Sequence, residues 1–500
     1  MPETAQHGAI ACGHALTARA AEEMLRSGGN AVDAAIAAAA MACVVEPVLA
    51  GPAGGGFAMV QAGADAAPQL CDFFCQTPRQ CNADAVVEAA EADFGDTTQV
   101  FHIGPGTVAP SNFIEGLAEL HQRHGRLPWQ ALFAPAIEVA GRGHAVSAFQ
   151  ASLLRIIAPI VTHTKAARGL FAPAGRLLRE GETLANPGQA RFWRMVASGG
   201  VQAWRNEVWP VLLQAAGPAS GGHLQEDDLK EHAVCWRAPL QISLHGGDAR
   251  IWLNPPPAAS GVLIALALGW LAGHAQAWRR NLPLACACAL DHADALRRAN
   301  AHDLTRLVAH LPRAWRGTTH ISVIDHDGIT CAMTISNGEG NGHMLGDFGF
   351  MPNNMLGEED VNPQGALHFP PNVRLSSMMA PTIAQLANGA HLALGSGGSN
   401  RIRSALLLVL ARLLMDDEAA DSSLEQVVKA ARLHVEEGAL EVEPGLPDAQ
   451  LQALLQAFPG HRVWNRPSMF FGGVHAVARM AGGMLAAAGD FRRDGVGMVI

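Results

Sequence analysis

The stretch Gly317-Thr318-Thr319-His320-Ile321-Ser322-Val323-Ile324-Asp325 puts a hydroxyl residue at the head of a strand-like run, directly after a glycine. A threonine hydroxyl is a weak nucleophile and needs a base. A free α-amino group on the same residue can be that base, because its ordinary pKa of roughly 7.7–8.0 lies near neutrality. An internal threonine has no free amine. The chemistry therefore requires the chain to be cut between Gly317 and Thr318, and the glycine leaves the attacked carbonyl sterically open. On its own, a Thr-Thr pair at a strand start also reads as plain β-propensity.

Other residue types that could do chemistry give less. The nine cysteines, at 12, 43, 71, 75, 81, 235, 286, 288 and 331, are odd in number and spread along 500 residues, which is no disulfide framework. Free thiols in a reducing, cytoplasmic setting are expected. Neither Cys71-x3-Cys75-x5-Cys81 nor Cys286-Ala-Cys288 has the matching second half of a zinc site. His121 and His124 would share a helix face but have no third ligand nearby, so no metal is expected. The glycine run Gly51-Pro-Ala-Gly-Gly-Gly56 is neither G-x-G-x-x-G nor a P-loop.

Composition narrows the class. The chain is 49% hydrophobic and 16% charged, enough apolar material for a large core and too little charge for a disordered chain or a coiled coil. Its formal net charge of −10 argues against nucleic acid and anionic membrane surfaces as partners. Met1-Pro2-Glu3-Thr4 opens no basic-then-apolar leader, so no secretory signal is expected. The longest apolar runs fall short of the roughly 20 residues needed to span a bilayer.

These residues need elements to hold them. Thr17 is expected to cap a helix that Gly28-Gly29 ends. Asn30 with Asp33 forms a capping box for a second helix, Ala31 to about Cys43, apolar on nearly every side and so buried. Residues 85–180 read as helical with loops. Leu240–Leu244 and Arg250–Leu253 read as strands, and residues 290–312 as helical. Ile321–Ile324 and Ile329–Ile335 form a hairpin about Asp325-His-Asp-Gly328. Pro381–Leu386 and His391–Leu394 form a second pair, residues 404–415 and 424–434 read as helices, and residues 461–485 resume strand character. No repeat or long linker divides the chain, so helix and sheet layers packed as one α/β unit are expected.

Taken together the chain resembles the γ-glutamyltranspeptidase family of N-terminal-nucleophile hydrolases. The resemblance rests on ordered motifs over nearly the whole length: Gly28-Gly-Asn-Ala-Val-Asp-Ala-Ala35, Glu46-Pro47 with Gly54-Gly-Gly56-Phe57, Pro255-Pro-Pro257-Ala-Ala-Ser-Gly261, Thr318-Thr-His320-x-Ser322-Val323-x-Asp325-x-Asp327-Gly328, Asn353-Asn354, Leu375-Ser-Ser-Met378 with Pro381-Thr382, and Gly395-Ser-Gly-Gly398. It implies an αββα sandwich made as one precursor and cut before Thr318 into a large segment, 1–317, and a small segment, 318–500. Thr318 matches the nucleophile. Ser336 stands where the family has a threonine that hydrogen-bonds the nucleophile's hydroxyl. Gly397 and Gly398 match oxyanion-hole glycines. Ser376 and Ser377 match the pair that binds the substrate α-carboxylate, and Glu358 is the closest match in register to the acid that binds its amino group. Asn354 is a further substrate-binding candidate. No metal or organic cofactor is implied, and the partners are a small-molecule amide and the chain's own two segments.

One departure bears on substrate. The family's carboxylate-clamping arginine, in an Arg-Glu-Thr-Ala-Pro segment, is replaced by Phe74 in Asp72-Phe-Phe-Cys-Gln-Thr-Pro78. Arg79 is the nearby candidate to take its place. The expected activity is hydrolysis or transfer of the γ-glutamyl group of glutathione or related γ-glutamyl amides through an acyl-threonine. The alternatives are an acylase of the same fold acting on another acyl group and an unprocessed, non-catalytic homologue.

Overall fold

In the computed structural model, residues 6–93, 98–274, 281–299, 317–358, 361–362, 364–415 and 423–500 are described. Two antiparallel sheets lie face to face. The first has seven strands in the order Val496–Val499, Gly8–Cys12, Thr319–Asp325, Thr330–Ser336, Gly55–Gln61, Gln69–Asp72 and Cys235–Arg237. The second has six, in the order Leu485–Ala488, Gly473–Arg479, His391–Gly397, Thr382–Gln385, Ala249–Leu253 and Leu240–Leu244.

The period-2 alternation of strands sorts side chains into layers. Ile321, Val323, Cys331 and Met333 face helices Ala15–Arg26 and Ala31–Val45. Phe57, Met59, Ile324 and Ala332 meet Trp252, Ile383, Ala393 and Val477 between the sheets. Leu392, Leu394, Val474 and Ala476 face helices Ala259–Gly273, Leu282–Ala299 and Ile402–Met415. This is the αββα sandwich. Residues on either side of position 317 contribute strands to both sheets, so the chain is one structural unit.

Helix Ala31–Val45 is buried at all 15 positions. The Asn30 side chain accepts from the Val32 and Asp33 amides, and Asp33 accepts from the Asn30 amide. The preceding helix differs from expectation. It starts at Ala15 with His14 as its cap, while Thr17 lies inside it and donates to Glu46. Gly28 takes φ +86 just past its end, the left-handed stop that glycine permits.

Three further expectations change. Residues 88–103 contain a strand pair, Glu88–Asp93 with Thr98–Ile103, where helix was expected. Helix 424–434 stops at Lys429, and Leu433–Glu436 is a strand. Helix Leu282–Ala299 covers the start of the 290–312 run, and positions 300–312 lie outside the described residues. Among the described residues no helix is long and apolar enough to cross a membrane. All nine cysteines are free.

Candidate active site

The hairpin Thr319–Asp325 and Thr330–Ser336 pairs Thr319 with Ile335, so residue 318 at the head of one strand comes level with Ser336 at the end of the other. Thr318 and Ser336 line a cleft of about 340 Å³ together with Phe74, Met355, Glu358, Val361, Ser377, Met378, Met379, Ser399 and Ile402. Strand parity separates the neighbours. His320 and Ser322 point between the sheets, where the His320 ring occupies the space a Cβ on Gly395 would need. Thr319 points to the helical layer and donates to Glu46 at 2.7 Å. Burial pushes Glu46 up to about 7, against the hydrogen bonds from Thr319 and Thr17.

Gly317 is held through both its carbonyl and its amide. Ser336 Oγ donates to the Gly317 carbonyl oxygen, and the Gly317 amide donates to Glu339 at 3.0 Å. Ser336 Oγ also accepts from the Gly338 amide at 3.1 Å. In the continuous chain Ser336 thus bonds the carbonyl preceding Thr318, where the resemblance had it on the nucleophile's own hydroxyl. Position 317 requires glycine for space: a Cβ there would lie 2.4 Å from the Gly338 oxygen and 2.5 Å from the Val48 oxygen.

The Gly397 backbone passes against the far side of the nucleophile residue, so closely that a Cβ on it would fall 2.2 Å from the Thr318 carbonyl oxygen. Arg493 Nη1 donates to that oxygen at 3.4 Å. Beyond it, Gly398 has φ +127 and Ser399 φ +54. A left-handed serine costs on the order of 1–3 kcal/mol, and such residues cluster at functional sites.

The remaining candidates divide. Ser377 and Glu358 line the cleft. Ser376 does not line it; its hydroxyl donates to the Pro257 carbonyl at 2.9 Å. Asn354 stands one layer behind, accepting from the Glu339 amide at 3.0 Å and donating to the His102 carbonyl at 3.2 Å. Arg79 lies away from the cleft, with its guanidinium on Glu231 and its amide on Asp228. Arg374 does not substitute either: it bonds the Phe74 and Ala233 carbonyls and sits 3.6 Å from Asp72. Phe74 itself packs on Phe57 with ring centroids 5.4 Å apart.

Sequence reasoning missed Glu339, Ser399 and Arg493. The run Asn337-Gly-Glu-Gly-Asn-Gly342, a turn-rich segment around a single acid, signals the first. Gly397-Gly398 signals the backbone freedom beside Ser399. Nothing local marks Arg493, which arrives from 175 positions away. The glycine run at 54–56 also finds its reason here: a Cβ on Gly54 would lie 2.3 Å from the Ser336 oxygen, and one on Gly56 2.5 Å from the Thr334 oxygen.

Comparison with known proteins bears on the family and the fold. The gamma-glutamyltranspeptidase family model matches residues 17–307 and 287–500. The acylase ACY 1 proenzyme of Pseudomonas sp. (strain V22) is 28% identical over 538 residues, covering 100% of this chain and 94% of that protein. The glutathione hydrolase proenzyme of Bacillus subtilis (strain 168) is 25% identical over 524 residues, covering 93% of this chain and 86% of the other. The crystal structure of cephalosporin acylase from Bacillus halodurans has a TM-score of 0.79 at 22% identity, covering 99% of this chain and 96% of that one, a likeness of fold.

Proposed function

Since the chain belongs to the gamma-glutamyltranspeptidase family, we propose that it is a self-processing N-terminal threonine enzyme that hydrolyses or transfers the γ-glutamyl group of glutathione or related amides. The observation that carries this reading is the convergence on the residue before the nucleophile: Ser336 on the Gly317 carbonyl, Glu339 on the Gly317 amide, and Thr318 beside it in the cleft.

Processing follows as an acyl shift. Thr318 Oγ attacks the Gly317 carbonyl carbon, its proton passes to the peptide nitrogen, and the C–N bond breaks to leave an ester. Water hydrolyses the ester. Gly317 becomes a carboxylate, and Thr318 regains its hydroxyl with a free α-amine. The segments 1–317 and 318–500 stay interleaved as partners because both supply strands to both sheets. In turnover the amine takes the hydroxyl proton, Oγ attacks the substrate carbonyl, and the proton passes to the leaving amine. Amides at Gly397 and Gly398 serve the oxyanion. Ser377 and Glu358 meet the acyl group, and Asn354 supports Glu339. The nine free thiols support a reducing, cytoplasmic setting.

Intact mass and a denaturing gel test this reading. The wild-type protein is expected to resolve into two segments split after residue 317 and to release amine from a γ-glutamyl anilide. Thr318→Ala is expected to remain one chain and lose at least about 10⁴-fold in activity. A Thr318→Ala protein that still cleaves itself and turns over substrate rejects the reading.

One observation favours a second reading, in which the same chemistry acts on an acyl group that is not γ-glutamyl. Phe74, Met355, Val361, Met378, Met379 and Ile402 make much of the cleft wall, and no arginine, lysine or histidine stands among the described residues that line it. A carboxylate entering such a wall has no bidentate partner. Comparing glutathione with its des-carboxy and des-amino analogues separates the readings. Indifference to the α-carboxylate supports the second, and a large loss on its removal supports the first.

A further inference from the structure

Outside the cleft, three segments far apart in sequence bring metal-ligating side chains to one place. Glu88 opens the strand pair, His163 sits between helices Ala158–Val161 and Lys165–Phe171, and His343 lies on the loop that follows Ser336. One ligand atom from each lies within 4.8 Å of the others. His163 Nε2 stands 3.7 Å from a Glu88 carboxylate oxygen, and the two imidazole centroids are 5.1 Å apart. His343 Nε2 is buried and has no hydrogen-bond partner.

The backbones under these groups are fixed independently of any ion. The His343 amide donates to Asn341 Oδ1 at 3.1 Å, and the His163 carbonyl accepts from Arg168 at 3.1 Å. Gly342 turns the loop with φ +83 against Ile103 and the His163 ring, where a Cβ would come within 3.0 Å of Ile103 and 3.3 Å of His163. Ile103 is the strand partner of Glu88, so the same close approach positions all three donors.

We propose that Glu88, His163 and His343 form a binding site for a divalent first-row transition ion, structural rather than catalytic. Two imidazoles and a carboxylate suit zinc or cobalt, with the fourth position open on the exposed Glu88 side. Donors on a tetrahedral zinc lie about 3.4 Å apart, as bonds of about 2.0–2.1 Å require. Closure therefore asks for a shift of about 1.4 Å or less, which rotation of the half-exposed Glu88 side chain and of the two imidazoles can supply. None of the three lines the cleft. The ion would instead tie the 337–352 loop, which carries Glu339 under the Gly317 amide, to the strand pair and to the turn before Lys165. It would be a cross-link among positions that the sequence separates by 75 and 180 residues, which is why no spacing announces it.

Cobalt(II) titration of chelator-treated full-length protein tests the site. One equivalent is expected to bind with visible d–d bands and without the thiolate charge-transfer bands that the free cysteines would give. Zinc is expected to raise the unfolding temperature until one equivalent is bound. Glu88→Gln is expected to weaken cobalt binding at least tenfold, and His163→Ala with His343→Ala to abolish both the bands and the zinc shift. If the double variant does not fold, Glu88→Gln, altered at an exposed side chain, carries the decision. No binding by the wild-type protein, or equal binding by wild type and Glu88→Gln, overturns the proposal.

Discussion

Two buried regions of this molecule handle polarity in opposite ways. The cleft is polar mainly through hydroxyls and backbone: Thr318, Ser336, Ser377 and Ser399, with Gly397 pressed against the Thr318 carbonyl and Glu358 the carboxylate among the described residues that line it. The outer side of the second sheet is polar through charge. Asp490 takes Arg432 and Arg492, Glu443 takes Arg492, and Asp294 takes Arg297 and Arg403, all almost fully buried. Burial alone would raise Asp490, but Arg432 and Arg492 outweigh it and hold the carboxyl below its ordinary value. Arg493 joins the regions, following Arg492 in the chain and reaching the Thr318 oxygen. The ionic region fixes where backbone runs; at the bond that must react, the donor to the carbonyl is a neutral hydroxyl, that of Ser336.

The comparison breaks most forcefully on the ionic side. Asp490→Asn leaves two buried guanidiniums short of a counter-charge, and breaking a buried pair costs about 3–5 kcal/mol. Urea unfolding should show that loss, while the fraction still folded processes itself at close to the wild-type rate. A folded Asp490→Asn protein that fails to cleave would show that the network acts on Thr318 through Arg493. Ser336→Ala is the converse change. It removes the donor to the Gly317 carbonyl, and losing one such donor costs about 10²-fold or more in rate, about 2.7 kcal/mol. Time-resolved gels should show cleavage slowed by about that factor, with a smaller shift of the urea midpoint than Asp490→Asn gives.

The same contrast explains what was legible in the sequence. Helix Ala31–Val45 and its capping box are local, and so is the turn Asp325-His-Asp-Gly328; both stood where the sequence placed them. Thr318, Ser336, Ser377 and Glu358 were reachable through ordered motifs and do share one cleft. What could not be read is set by contacts across long separations. Glu88-Ala-Ala-Glu-Ala-Asp93 is built of helix formers, and only its pairing with Thr98–Ile103 makes it a strand. Ser376 and Ser377 are equivalent as letters, yet one hydroxyl is spent on Pro257, 119 positions away. Arg79 was near Phe74 in sequence, but Glu231, 152 positions on, claims its guanidinium.

The smallest expected effect sits at the seam between the regions. Glu46 accepts from Thr17 and Thr319 on the helical side of the nucleophile strand, with Arg493 and Asp494 the charged groups acting on it. Its carboxyl is raised from 4.5 to about 7 by burial, so the folded protein holds a proton that the unfolded chain has released. Stability must then fall as pH rises between those values, because the native state binds more protons there. Below about pH 4.5 there is no penalty, and above about pH 7 it is complete. Between pH 5.5 and 7.5 the loss is about 2 kcal/mol. Glu46→Gln keeps the shape, removes the proton and loses one acceptor, so it should be less stable than wild type at low pH and recover relative to it by that amount across the interval. Urea midpoints at four pH values read the slope directly. A wild-type slope that persists in Glu46→Gln would move the titrating group elsewhere and leave Thr319 anchored by a permanently charged carboxylate, which would place charge, and not only hydroxyls, directly behind the reacting strand.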